Sequence, residues 1–135
     1  VQKDRGQGMK ILVVEDDKFR HEWFREIMRK HDLHIVKTVA DALQMDLHAF
    51  DEIWLDHDLG INAGSGMDVA EYLVEGVKFM GDPATARIYI HSCNTPAAIM
   101  MKKKLDIAFN EVYVMPFLYM VGHTREYMEE YDGKA

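Results

Sequence analysis

The sequence predicts an α/β fold, with a five-stranded parallel sheet between two layers of helices. Three observations predict it. From Met9 onward, short runs rich in β-branched and aromatic residues alternate with segments of helical period. Most of those runs lack polar alternation, as strands buried on both faces do. The length of 135 residues and the 48% hydrophobic content suit one compact domain with a full core.

The first strand is expected over 11–14, followed by a helix on which Phe19, Trp23, Ile27 and Met28 share one face. The second strand, 34–36, leads to Thr38, which with Asp41 three residues on resembles a variant capping box. The helix it opens carries Ala40, Leu43 and Leu47 on its apolar face. The third strand, 52–55, precedes a helix striped by Ala70, Leu73, Val74 and Val77. After the fourth strand, 88–90, Thr95 reads as an N-cap with Pro96 at the first helical position. The fifth strand, 111–114, is followed by a last helix from about 117 to 131, started by Pro116 and ended before Gly133. No repeat, low-complexity tract or linker interrupts this order, so 9–135 reads as a single domain. The polar stretch 1–8 reads as a loose tail or an expression remnant.

A formal charge of -7 argues against binding nucleic acid or an anionic membrane, because phosphate contacts need clustered Lys and Arg. Lys102, Lys103 and Lys104 form the one basic run and read as a solvated helix face. The chain has no apolar run near the roughly 20 residues of a membrane helix. A lone Cys93 forms no internal disulfide and suits a reducing, cytoplasmic compartment.

Right-handed crossovers bring the C-terminal ends of parallel strands to one edge, where ligands of open α/β sheets bind. The residues closing the strands are Glu15, Asp16 and Asp17, then Asp56, His57 and Asp58, then His91, Ser92, Cys93 and Asn94. Carboxylates gathered at neighbouring strand ends repel one another, and a hard divalent cation with oxygen ligands relieves that repulsion. Glu15, Asp16 and Asp56 are the expected ligands, with Asp58 as a fourth. Asp17 has the alternative of capping the first helix, and Asp58 that of solvating a turn. For His57 and His91 the alternative is a sheet histidine satisfied by a backbone carbonyl. Asp56 and His57 point to opposite faces of a regular strand, so only a turn beginning there brings both to one pocket. Zinc on His57, His91 and Cys93 lacks the usual ligand spacing. The pairs His31-Asp32 and His57-Asp58 read as coincidence rather than helical metal ligands.

The segment 10–17, Lys-Ile-Leu-Val-Val-Glu-Asp-Asp, resembles the first strand and acidic pair of response-regulator receiver domains, the CheY-like superfamily with a flavodoxin-like (βα)5 fold. By that resemblance Asp56 matches the phosphoacceptor, Ser92 the hydroxyl residue of the fourth strand, and Met115-Pro116-Phe117 the family's Lys-Pro-Phe. Met115 thus stands where receivers place a lysine. The combination of 55–60 (Leu-Asp-His-Asp-Leu-Gly), 66–69 (Gly-Met-Asp-Val) and His91-Ser92 with Asn94 is similar to a narrower branch, the cyclic-phosphate-processing receiver domain. That resemblance implies Mg²⁺ or Mn²⁺ on Glu15, Asp16 and Asp56, proton transfer by His57 or His91, and phosphate binding by Ser92 and Asn94. It also implies a phosphate-containing small molecule or a phosphodonor protein as partner. The fourth helix, fifth strand and fifth helix, with Ile99, Tyr113 and Tyr119, would form a partner or homodimer face. Two other readings stand beside it: a single-domain response regulator phosphorylated on Asp56 in a two-component phosphorelay, and a pseudo-receiver that only binds protein.

Overall fold

In the computed structural model, which describes residues 8–80 and 84–135, five strands lie parallel in the order β2-β1-β3-β4-β5. Along the chain the elements are β1 (Lys10–Val14), α1 (Lys18–Ile27), β2 (Asp32–Val36), α2 (Val39–Leu43), a 3-10 turn (Leu47–Ala49), β3 (Glu52–Leu55) and α3 (Gly66–Met80). Then come β4 (Ala84–Ile90), α4 (Thr95–Leu105), β5 (Phe109–Val114), α5 (Phe117–Val121) and α6 (Thr124–Gly133). The expected tail, 1–8, lies outside the described residues except for Gly8.

The pleat sends alternate residues to two cores, which explains the missing polar alternation. Leu12, Val14, Ile53, Leu55, Ile88 and Ile90 pack with Val69, Leu73 and Val74 of α3 and with Met101 and Leu105 of α4. Ile11, Val13 and Trp54 pack on the other face with Phe24 and Ile27 of α1, Phe117 and Met120 of α5, and Tyr131 of α6. The chain reverses its strand order between β1 and β3, the switch point at which such sheets bind ligands.

Register positions the site. Val14 pairs with Leu55, Leu55 with Ile90, and Ile90 with Val114, so four strands end level. The next residues continue the ladder: Asp56 N–H donates to the Val14 carbonyl at 3.2 Å, His91 N–H to Leu55 at 3.0 Å, and Met115 N–H to Ile90 at 2.8 Å. Glu15, Asp56, His91 and Met115 therefore stand in one row, on the face shared with α1, α5 and α6.

Several local expectations are corrected. Phe19 is 85% exposed, because it lies in the first turn of α1, beyond the sheet end that covers Phe24 and Ile27. In α2 it is Ala42 that is buried while Ala40 faces solvent, and Leu47 reaches the core from the 3-10 turn. Thr38 does cap α2, accepting from Asp41 N–H at 3.1 Å. Asn94, not Thr95, caps α4: its side-chain oxygen accepts from Ala97 N–H at 3.3 Å, which leaves Thr95 inside the helix. The last helix is two, with Gly122 closing α5 and His123 leaving helical geometry before α6. That break lets Thr124 Oγ1 accept from the Trp23 indole at 3.0 Å. Gly133 lies within α6 rather than past it. Among the described residues no helix is long and apolar enough to cross a membrane.

Candidate functional site

Glu15 is the centre of the site and is buried. Its Oε1 meets His91 Nε2 at 2.8 Å and Arg20 Nη1 at 3.4 Å, while its Oε2 accepts the N–H groups of Asp16 and Asp17 at 3.1 and 3.0 Å. Burial favours the neutral acid, but the hydrogen bond and charge of His91, the Asp17 amide and Arg20 outweigh it and hold the Glu15 pKa below its usual value. The carbonyl oxygen of Glu15 is also bound by the His21 ring, which ties α1 to the end of β1.

Asp56, also buried, spends Oδ1 on His57 N–H at 2.9 Å, and its Oδ2 lies 3.8 Å from Arg20 Nη1. Burial, with the nearby Glu15 charge, raises its pKa even though His91 and Arg20 act the other way. Asp16 is exposed at the rim, and its pKa is raised by partial burial and by Glu15. One ligand atom each from Glu15, Asp56 and His91 lie within 4.8 Å of one another. Two carboxylates and an imidazole at that spacing make a donor set suited to a divalent metal, with oxygen dominant and nitrogen at one corner.

The His91 ring is fully buried, packed edge-on against Phe24 at 5.2 Å, with its Nδ1 lacking a hydrogen-bond partner. His57 lies at the rim. β3 ends at Leu55, and the turn beginning there is closed by an antiparallel bridge between Asp58 and Ser65 and by Gly66 N–H donating to the His57 carbonyl at 3.0 Å. His57 Nδ1 meets Asp58 Oδ1 at 2.8 Å. Neither site histidine is thus satisfied by a carbonyl. Asp58, with its side chain 65% exposed, stands outside the Glu15–Asp56–His91 cluster and faces His57. Ser92 is buried and its Oγ accepts from Asn94 N–H at 3.0 Å, while the Asn94 oxygen serves as the α4 cap. Asp17 caps α1 through Phe19 and Arg20 N–H, its structural alternative.

Gly66 and Gly60 shape the surrounding loop. A Cβ on Gly66 would lie 1.9 Å from the Asp56 carbonyl oxygen, so only glycine lets α3 start this close to the site. Gly60 has φ +93°, and a Cβ there would lie 3.1 Å from Asp16 Oδ2. A separate cavity of about 380 Å³, lined by Tyr89, Tyr113, Tyr119 and Tyr127, touches the row only through Met115.

Arg20 and His21 were not singled out by sequence. The available signal was their place in the turn after the N-cap Asp17, one helical turn above the strand end. Other polar residues hold the fold rather than the site. His31 accepts from Met9 N–H at 2.9 Å through Nδ1 and meets the Tyr131 carbonyl at 2.7 Å through Nε2. Glu52, buried at the start of β3, is bound by Tyr131 Oη at 2.8 Å and Arg87 at 3.0 Å. Cys93 is exposed and outside the cluster.

Comparison with solved structures places this fold among those of response-regulator receiver domains. The response regulator TrrA from Thermotoga maritima, in complex with Mg²⁺-BeF, matches at TM-score 0.62 and 18% identity over 87% of this chain and 95% of that one. A CheY-like receiver domain protein from Methanospirillum hungatei matches at TM-score 0.59 and 15% identity, covering 94% of this chain and 98% of the other. The Mn²⁺-bound response regulator Rcp1 matches at 0.58 and 19%, over 79% and 80% of the two chains. These likenesses establish the five-stranded flavodoxin-like receiver fold. The sequence profile of the cyclic-phosphate processing receiver domain matches residues 10–107, and the chain belongs to this family. No curated protein matches the chain by sequence.

Proposed function

We propose that this receiver domain binds a divalent cation, Mg²⁺ or Mn²⁺, at Glu15 and Asp56, with Asp16 at the rim, and hydrolyses a cyclic phosphodiester held beside it. The observation that carries the reading is the buried cluster of Glu15, Asp56 and His91, within 4.8 Å of one another in a chain of the cyclic-phosphate processing family. Bound there, the cation would supply Lewis-acid polarisation of a phosphoryl oxygen. Support for a metal also comes from structural relatives that hold Mn²⁺ or Mg²⁺-BeF.

The chain's own groups have defined parts in this reading. With Asp58 Oδ1 accepting from His57 Nδ1–H, the lone pair of His57 Nε2 is free to take a proton from water. The water oxygen bonds to phosphorus as one ring P–O bond breaks. The leaving oxygen takes the proton from His57 Nε2, giving a phosphate monoester and a free hydroxyl. Asp58 orients the imidazole rather than filling a ligand position. The Ser92 hydroxyl and the Asn94 side-chain amide keep donors for phosphate oxygens while their acceptor sides serve Asn94 N–H and Ala97 N–H. His91 positions the Glu15 carboxylate and sits at the nitrogen corner of the cluster. The protein partner, if the product is read out by one, docks on the face carrying Ile99, Tyr113 and Tyr119, all exposed. The setting is cytoplasmic, as the lone exposed Cys93 suggests.

A second reading, phosphoacceptance by Asp56 in two-component signalling, is favoured by the relative of 20% identity whose structure carries a phosphorylated aspartic acid. ³¹P NMR with Mn²⁺ kept substoichiometric, or with Mg²⁺, separates the two. Loss of a cyclic diester signal, abolished in Asp56→Asn and reduced about 100-fold in His57→Ala, is expected for the enzyme. A stable acyl phosphate resonance from acetyl phosphate, with diesters untouched, would establish the second reading instead.

A further inference from the structure

Arg20 is placed oddly for a residue with only a structural role. Its Nη1 lies 3.4 Å from Glu15 Oε1 and 3.8 Å from Asp56 Oδ2, both longer than the roughly 2.7–2.9 Å of a tight charge-assisted bond. One nitrogen makes both contacts, in a group with about five N–H donors. The guanidinium rests on the Phe117 ring, 4.8 Å from its centroid, and the side chain is 23% exposed. The group is therefore drawn to the carboxylates without being locked onto them. At the β5 end of the row Met115 contributes no charge. Among the described residues, Arg20 is the one Lys or Arg with a nitrogen within 4.0 Å of Asp56.

We propose that Arg20 is the phosphate-binding cation of this site. When a divalent cation takes the Glu15 and Asp56 oxygens, the guanidinium is released and turns its unspent N–H fork to a phosphate oxygen. This rests on the preceding reading that the pocket takes a divalent cation and a phosphate group. The planar fork of a guanidinium matches two phosphate oxygens at once, which an ammonium does not. The Phe117 ring offers a face over which the group slides while keeping cation–π contact. Arg20 and the metal seek the same two carboxylates, whereas Arg20 and the metal both attract phosphate. Removing Arg20 thus acts with opposite sign on the two ligands.

The test is isothermal titration of Mn²⁺ alone, then of inorganic phosphate into the Mn²⁺-saturated protein, for the wild type, Arg20→Gln and Arg20→Lys. Near-UV circular dichroism and the melting temperature check the fold. Arg20→Gln is expected to raise Mn²⁺ affinity about threefold or more and to lower phosphate affinity at least about tenfold. Arg20→Lys, keeping the charge without the fork, is expected to bind Mn²⁺ as the wild type does and to recover part of the phosphate affinity. Unchanged phosphate affinity in Arg20→Gln would overturn the proposal. So would parallel loss of Mn²⁺ and phosphate binding, which would make Arg20 a brace for the carboxylates. If the wild type takes up no Mn²⁺ at millimolar concentration, the metal reading fails by itself. Phosphate titrated without metal then decides on Arg20, and an equal affinity in wild type and Arg20→Gln would sink it.

Discussion

Replacing Gly66 with alanine tests how the site is built. The new methyl would lie 1.9 Å from the Asp56 carbonyl oxygen and 2.8 Å from its carbonyl carbon, where real Cβ contacts under 3.0 Å are essentially never found. Both obstacles are backbone, so no side-chain rotation relieves them. The start of α3 and the end of β3 must part by about 1 Å, a gap that forfeits a quarter to a half of the dispersion energy of each contact across it. The contacts concerned are those of Val69, Ala70 and Leu73, all fully buried, and the bond from Gly66 N–H to the His57 carbonyl stretches with them. Overpacking of this kind costs about 1–3 kcal/mol and the strained hydrogen bond about 1 kcal/mol, so a loss of about 3 kcal/mol is expected. Followed by tryptophan fluorescence with an m-value of about 1.5 kcal/mol/M, the urea midpoint should fall by about 2 M. Mn²⁺ affinity should fall with it, because the peptide that moves carries Asp56. Gly133→Ala, with nothing within 4 Å of the added methyl, is the control and should leave the midpoint unchanged or slightly raised. A midpoint shift below about 0.5 M in Gly66→Ala would refute the close approach as the reason for glycine.

Three further outcomes concern the frame around the site. Phe19→Ser should change stability by less than about 0.5 kcal/mol in the same urea assay, since the ring is exposed; a loss above about 1.5 kcal/mol would restore Phe19 to the core. Tyr131→Phe removes the phenol that donates to buried Glu52 at 2.8 Å and should cost about 1.5–3 kcal/mol at neutral pH. Burial, with the Glu52 charge, raises the Tyr131 pKa far above its usual value and pushes Tyr89 up to about 12. The folded state therefore keeps these protons where the unfolded chain, titrating near pH ~10, releases them. Their stabilisation is full below about pH 10 and declines as pH rises above it. Urea midpoints between about pH 8 and 11 should show that decline, less steeply in Tyr131→Phe; a flat profile would contradict it.

Local rules and one resemblance were enough to read the strand ends and the acidic pair from the sequence. The runs at 11–14, 52–55 and 88–90 show as strands because both faces of a parallel sheet are buried, and that burial is written directly into the residues. Placing Glu15, Asp56 and His91 at one edge needed only the handedness of the crossovers. Where a helix begins or bends was less legible. Asn94 and Thr95 are both competent caps, and only the path of the chain into α4 selects Asn94. Nothing in the periodicity of 117–133 marks the break at Gly122, which packing of α6 against α1 requires.

The composition and order of residues determined that this chain makes a parallel α/β sheet and which carboxylates and histidines close its strands. Their partners were decided only in three dimensions. Glu15 and His91 lie 76 positions apart, and Asp56 and Arg20 meet across β3 and α1, so neither pairing leaves a trace in local pattern. Register sets those contacts. The level ending of Val14, Leu55, Ile90 and Val114 turns four separate strand ends into one row, and the first turn of α1 then brings a guanidinium over it. Side-chain chemistry can be read one residue at a time, but an electrostatic site depends on distances, and distances between remote residues exist only after the sheet has closed.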